Sequence, residues 1–388
     1  MTEKLYYEDS HMKNFSAVVL SCAAIEDAYE AVLDRTAFFP EGGGQYADTG
    51  VIDGIPVTDV QERDGLIYHK MTAPLTVGKC VEGEIDWMER FSKMQQHSGE
   101  HIVSGIMFAK YGFHNVGFHM GKDAITMDFD GVISKSQLQE VERMANEAVV
   151  QNLEIQAFFP SPEELARMEY RSKIQIEGPV RIVTIPGHDW CACCAPHVKK
   201  TGEIGIIKFL GMQNYKGGIR VSMLCGFRAL SDYEEKTEHC KELSALLSAP
   251  ESEVTDEVKR LLDVIAEQKG QILNLEHRLL ACRANEIAEG QRLVVLFEGE
   301  LEGNAPRELV NLLIARKTEI AAVFAGDETD GYRYVIGSRA QDVRPIAKSI
   351  NEKFRGRGGG KPEMVQGSLG SAREDEIREE IRACVEKM

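Results

Sequence analysis

The chain has 388 residues, 43% of them apolar, enough for more than one domain with a substantial core. No run approaches the roughly 18 apolar residues a membrane span requires, and the acidic start Met1-Thr-Glu-Lys-Leu-Tyr-Tyr-Glu-Asp9 lacks a signal-like apolar stretch, so a cytoplasmic protein with no membrane partner is expected. A net charge of −17 speaks against a nucleic-acid binder unless local charge overrules the total.

Residues 1–88 read as a β-rich N-terminal domain. Short β-branched segments at 16–22, 50–60 and 65–69 are separated by turn residues. Between the first two lie Gly42, Gly43 and Gly44, read either as a flexible turn or as bare backbone that approaches a ligand. Residues 89–230 read as an α+β unit. Its helix, at 89–110, follows the near-helical spacing of Phe91, Met94, Ile102 and Ile106. A strand over 124–130, a helix over 132–152 and strands over 180–185, 201–208 and 219–224 follow.

Residues 231–289 change character. Val254, Val258, Leu261, Ile265, Ile272, Leu275 and Leu279 step by four and three, with Gln268 in the one polar slot, which is a heptad seam. An earlier helix, an interruption at Pro250 and a capping box of Ser248 with Glu251 make a helical hairpin, read either as a dimerisation arm or as a solvated linker. Residues 290–388 read as a small α/β unit: strands at 292–297, 319–324 and 332–336, a helix with Leu309, Leu312 and Leu313, and helices at 342–354 and 371–387.

The chemistry concentrates in two pairs. His97 and His101 stand four apart on the 89–110 helix and share one face, beside the small residues Ser98 and Gly105, which leave room for an ion or substrate. Cys193 and His197 repeat the spacing. Thiolate with imidazole suits zinc, so one zinc ion per chain is expected on His97, His101, Cys193 and His197. Three of the nine cysteines fall at Cys191, Cys193 and Cys194, which fits a metal site better than disulfides. His119, His188 and Cys191 read as structural or surface residues. His97-Ser-Gly-Glu-His101 also satisfies H-x-x-E-H, with Glu100 as the general base of a zinc metallopeptidase. Four protein ligands would instead close the coordination shell.

Gly356-Arg-Gly-Gly-Gly-Lys361 lacks the order of a Walker loop, because Pro362 follows Lys361, so nucleotide hydrolysis is not expected. With Arg344, Lys348, Lys353 and Arg355 it reads as a cationic loop for phosphate contact, or as a solvated basic loop. Lys199, Lys200, Lys208, Lys216 and Arg220 form a second basic group near the metal ligands. Nucleic-acid binding therefore survives the net charge.

These motifs, in this order, resemble the AlaX family of alanyl-tRNA editing proteins in its long form, related to the editing half of alanyl-tRNA synthetase. The resemblance rests on Phe39-Pro-Glu-Gly-Gly-Gly-Gln45 with Asp48-Thr-Gly50, on His97-xxx-His101, and on Cys193-xxx-His197 running into Val198-Lys-Lys-Thr-Gly-Glu-Ile-Gly205. It continues through Gly218-Ile-Arg220 and Cys225-Gly226 to Gly356-Arg-Gly-Gly-Gly-Lys-Pro-Glu-Met-Val-Gln-Gly367, which looks like a DHHA1 signature. It implies an α+β multidomain chain: a β-barrel-like domain over 1–88, a zinc editing domain over 89–230, a helical hairpin arm over 231–289 and a DHHA1-like domain over 290–388.

The implied reaction is zinc-dependent hydrolysis of the ester joining serine, or also glycine, to alanine tRNA, acting in trans because no aminoacylation half is present. Such editing corrects a synthesis site that discriminates poorly between near-isosteres. Glu100 and Gln45 are candidates for positioning water, and Thr126 stands where the family places a pocket hydroxyl. Gly42, Gly43 and Gly44 are expected near the pocket. Lys208, Arg220, Arg357, Gly358, Gly359, Gly360 and Lys361 are expected to contact the tRNA. The arm or the C-terminal domain offers a homodimer contact. A zinc-stabilised tRNA-binding protein without enzymatic activity is the third reading. The family's synthetase pattern Cys-Gly-Gly-Thr-His is Cys193-Cys-Ala-Pro-His197 here, so Pro196 replaces a threonine.

Overall fold

The computed structural model describes residues 1–172 and 178–388, which divide into two compact units, Met1–Glu242 and Leu243–Met388. Among them no helix is long and apolar enough to cross a membrane.

The first unit opens with a closed six-stranded barrel: β1 (Asn14–Ile25), β2 (Ala28–Leu33), β3 (Gly50–Ile52), β4 (Ile55–Arg63), β5 (Leu66–Met71) and β6 (Cys80–Ile85), in the order β1-β2-β5-β4-β3-β6. The twelve residues of β1 let it pair with β2 at one end and β6 at the other, which closes the ring. Phe15, Ala17 and Val19 alternate inward with period two and meet Leu33, Val60 and Ile67 in the core. The single strand expected over 50–60 is instead a hairpin. Asp53 and Gly54 both have positive φ, 49° and 75°, and their Asp-Gly turn reverses the chain between β3 and β4.

Helix α1 (Trp87–Tyr111) follows. The Asp86 side chain accepts from Glu89 N–H at its start, and Gly112, at φ 72°, ends it in the left-handed conformation. From Lys93 to Met107 every residue is buried, so α1 is a core helix and not an amphipathic surface one. It lies against a four-stranded antiparallel sheet of β7 (Asn115–Met120), β8 (Ile125–Phe129), β12 (Ile207–Tyr215) and β13 (Gly218–Cys225), in the order β12-β13-β8-β7. Helix α2 (Lys135–Val150) joins the same core. A smaller sheet holds β9 (Gln156–Phe158), β10 (Ile182–Ile185) and β11 (Asp189–Ala192). The strand expected over 201–208 begins as a 3-10 turn, Thr201–Ile204, and turns extended only at Ile207. Gly205, at φ 80°, separates the two.

Side-chain amides clamp α1 to that sheet. Gln96 donates to Cys225 O at 2.7 Å and accepts from Cys225 N–H at 2.8 Å. A Cβ on Gly99 would stand 2.4 Å from Cys225 Sγ, so the helix and strand meet at a distance only glycine permits.

Helix α3 (Gly226–Leu247) leaves β13, and α4 (Val254–Asn285) begins the second unit's longest element. No side chain caps α4. A 3-10 turn at Glu251–Glu253 starts it, in place of the capping box expected from Ser248 and Glu251. Leu280 and Ala284 near its end are buried with Leu309 and Leu313 of α5 (Ala305–Ala315), but Leu261, Ile265, Ile272, Leu275 and Leu279 of the heptad seam are exposed.

The rest is a five-stranded sheet of β14 (Leu293–Phe297), β15 (Ile320–Asp327), β16 (Gly331–Ser338), β17 (Arg357–Lys361) and β18 (Met364–Leu369), in the order β14-β15-β16-β18-β17. Helices α6 (Arg344–Lys353) and α7 (Glu374–Glu386) pack on it. The segment expected as a cationic glycine loop is thus the edge strand β17, paired with β18 from Arg357↔Ser368 to Lys361↔Met364. Glycines allow it, because a Cβ on Gly358 would stand 2.5 Å from both Gln366 O and the Tyr334 hydroxyl.

Candidate metal centre

The 89–110 helix presents His97 and His101 one turn apart, and the chain leaving β11 brings Cys193 and His197 to them. The ligand atoms of the four lie within 4.8 Å of one another, and all three imidazoles are buried. His97 Nε2 stands 3.6 Å and His197 Nε2 3.4 Å from Cys193 Sγ.

Each imidazole's other nitrogen is committed elsewhere. His97 Nδ1 meets Gln45 Oε1 at 3.0 Å, His197 Nδ1 meets Ser98 Oγ at 3.0 Å, and His101 Nδ1 meets Asp189 Oδ2 at 2.9 Å. Asp189 in turn accepts from Arg171 Nε at 2.7 Å and Nη2 at 2.8 Å. Such outer partners fix which nitrogen of a histidine faces the ion. The three Nε2 atoms and one sulfur, held this way, are a complete four-donor set for a metal ion.

The charges agree with that reading. Burial opposes ionisation of Cys193, yet the surrounding histidines hold its thiol well below the ordinary range. Burial drives His197 down to about 3, so it stays a neutral donor. Burial would also lower His101, but the hydrogen bonds to Asp189 and Cys193 outweigh it and push the imidazole up to about 9. Burial would raise Asp189, and His101 with Arg171 holds it low instead.

The sequence-derived candidates fall in several places. Gly43 and Gly44, at φ 60° and 81°, form the two-residue turn between Gly42 and Gln45 that delivers Gln45 to His97. A Cβ on Gly44 would press 2.7 Å from the Phe118 ring, and that ring lies 5.0 Å from His97. Asp48 of the same loop is locked by the buried Arg90, whose Nε donates to it at 2.8 Å, and it accepts from Phe39 N–H at 2.7 Å. Glu100 is fully buried. Its Oε1 accepts from Ser104 Oγ and Asn115 Nδ2, both at 2.6 Å, and its Oε2 lies 3.9 Å from His101 Nε2.

Thr126 alternates with Ile125 and Met127, which enter the core, so its side chain leaves by the opposite face of the sheet, away from the metal ligands. On that face Arg220 is paired with Asp128 at 2.6 Å, and elsewhere Lys208 is paired with Glu142 at 2.7 Å. Gly105 leaves no room for an ion: a Cβ there would stand 2.2 Å from His188 O, so the space holds the β10–β11 hairpin. Cys191 is buried and forms a second potential donor group with His101 and Asp189. Arg357 and Lys361 form no ion pair among the described residues, and all of β17 is exposed.

Sequence reasoning passed over Asp189 and Arg171, because neither has a periodic spacing to the ligands. The only signal was the adjacency of Asp189 to the cysteine cluster.

Comparison with known proteins defines the class first. Residues 2–89 match the family described as tRNA synthetases class II (A), 180–222 the threonyl and alanyl tRNA synthetase second additional domain, and 290–387 the DHHA1 domain. The chain is 29% identical to the alanyl-tRNA editing protein AlaX-L of Pyrococcus horikoshii, over 97% of its own length and 96% of that protein. It is 32% identical to the alanine–tRNA ligase of Pyrococcus furiosus over 95% of its length, and 31% identical to that of Halobacterium salinarum over 87%. It spans only 42% and 38% of those ligases. The chain is thus similar over almost its whole length to an AlaX-type alanyl-tRNA editing protein, and its residues 290–387 match a DHHA1 domain.

Proposed function

We propose that this chain is an aminoacyl-tRNA deacylase that hydrolyses the ester between alanine tRNA and a wrong amino acid, serine and also glycine. The observation that carries this reading is the clustered donor set of His97, His101, Cys193 and His197 in a chain aligned end to end with an AlaX-L editing protein. The donor set fits zinc: three imidazole nitrogens and a thiolate, all Nδ1 positions engaged. When bound, the zinc supplies Lewis acidity at the ester or its amino group.

The chain's own groups do the rest. Gln45, Ser98 and Asp189 hold the imidazoles in one tautomer. The Glu100 carboxylate, with Oε1 fixed by Ser104 and Asn115, keeps Oε2 3.9 Å from His101 Nε2, where it can accept a proton from an attacking water. Gln45 acts by orienting His97, while Thr126 takes no part at the metal. The tRNA body is met by Arg357 and Lys361 on the exposed glycine-rich β17 edge, where two cations without an ion pair among the described residues suit phosphate. The functional division is 1–88, 89–230, 231–289 and 290–388, and the exposed seam of α4 pairs with a second copy. The metallopeptidase reading is weaker, because the chain aligns over 97% of its length with an alanyl-tRNA editing protein.

The test is deacylation of seryl-, glycyl- and alanyl-tRNA by wild type and by Cys193→Ala, with zinc content measured in parallel. The expected result is hydrolysis of the mischarged species by wild type and loss of at least 100-fold, with zinc, in the variant. Full seryl hydrolysis by a zinc-free variant defeats the metal-centred reading.

A further inference from the structure

Arg181 is buried, 7% exposed, with no carboxylate partner among the described residues. Its Nη1 donates to Cys193 O at 3.1 Å and to Ala195 O at 2.9 Å, and its own carbonyl accepts from Cys193 N–H at 3.0 Å. Its Nε has no hydrogen-bond partner among the described residues. The guanidinium lies 5.0 Å from the centre of the Tyr7 ring. Tyr7 meets Phe159 edge to face at 5.5 Å and Tyr6 at 4.6 Å, and Tyr6 is rooted in the barrel core on Phe39 at 5.4 Å. Phe159 is 49% exposed. Of the four metal ligands only Cys193 is partly exposed, and Arg181 ties its segment to these rings.

A rigid aromatic pair braced by a cation, tied through two carbonyls to the segment that supplies a metal ligand, is a surface for a planar ring. The editing reading sets which ring that is. The scissile ester sits on the terminal ribose, so the base on that ribose lies beside the metal centre whenever the ester is at it. We propose that Tyr7 and Phe159, braced by Arg181, form the stacking surface for the 3′-terminal purine of the acceptor strand, with the unpartnered Arg181 Nε as a further donor toward that nucleotide. This rests on the deacylase reading above. Tyr7 adds a phenol that burial keeps protonated, raised to about 12, and which makes no hydrogen bond among the described residues.

The experiment compares seryl-tRNA ending in adenosine with the same tRNA ending in cytidine, for wild type, Phe159→Ala and Phe159→Trp, with bound zinc measured to confirm an intact centre. Wild type is expected to favour the adenosine end. Phe159→Ala is expected to raise KM for that end by roughly 5- to 100-fold and to flatten the preference, and Phe159→Trp to restore both. An adenosine preference in Phe159→Ala equal to that of wild type overturns the stacking surface. No deacylation by zinc-loaded wild type defeats the editing reading instead, and the two failures are thereby distinct.

Discussion

Asp189 shows how much of the centre depends on residues outside the four-donor set. Its carboxylate is shared between His101 Nδ1 and the Arg171 guanidinium, so it fixes the His101 tautomer and is itself fixed. Asp189→Asn is expected to weaken zinc binding by about 10- to 100-fold with the fold intact, read by competition with a chelating dye. A second expectation concerns pH. Without metal, His101 keeps its proton up to about pH 9, and the neighbouring histidines hold the Cys193 thiol well below the ordinary range. Metal must displace the His101 proton below that pH, so affinity should climb about tenfold per unit toward pH 9 and then flatten. At least the His101 proton should be released on binding zinc at pH 7.5. A flat affinity profile between pH 6.5 and 9 would count against this protonation state.

At the scale of elements, the two halves of the donor set come from a helix and from the chain after a hairpin, and glycines set how closely those approach. The β10–β11 hairpin lies on α1 at Gly105, one turn beyond His101, where a Cβ would stand 2.2 Å from His188 O. Gly105→Ala should push the hairpin, and Asp189 with it, off the helix. The expected cost is about 1–3 kcal/mol in denaturant melts, with weakened zinc binding despite untouched ligands. The helix and most strands of this unit were legible from periodicity and turn residues. The α1 pattern also hid something: a helix buried on all sides needs no amphipathic stripe, so the roles of Gln96 and Gly99 came from packing alone.

At the scale of the whole molecule, the net charge of −17 is a poor guide to where RNA is met. Most of the expected cations near the metal ligands are neutralised by carboxylates, as in Lys199 with Asp9 and Arg220 with Asp128, while Arg357 and Lys361 on the β17 edge form no ion pair among the described residues. Arg357→Glu with Lys361→Glu should raise KM for full-length tRNA by about tenfold or more, with a smaller salt dependence, and leave an acceptor-stem minihelix unaffected. Equal losses on both substrates would place those cations elsewhere in recognition. The sequence by itself determined the candidate donor set and the likeness to alanyl-tRNA editing proteins, because metal chemistry demands particular side chains and a helix or turn translates their spacing directly into a shared face. Only the tertiary structure decided which polar residues support the ligands, that the glycine-rich basic run is a strand, and that Thr126 faces away from the metal. Those outcomes depend on contacts between residues far apart in the chain, such as Asp189 with His101 and Gly358 with Tyr334, and local spacing carries no record of them.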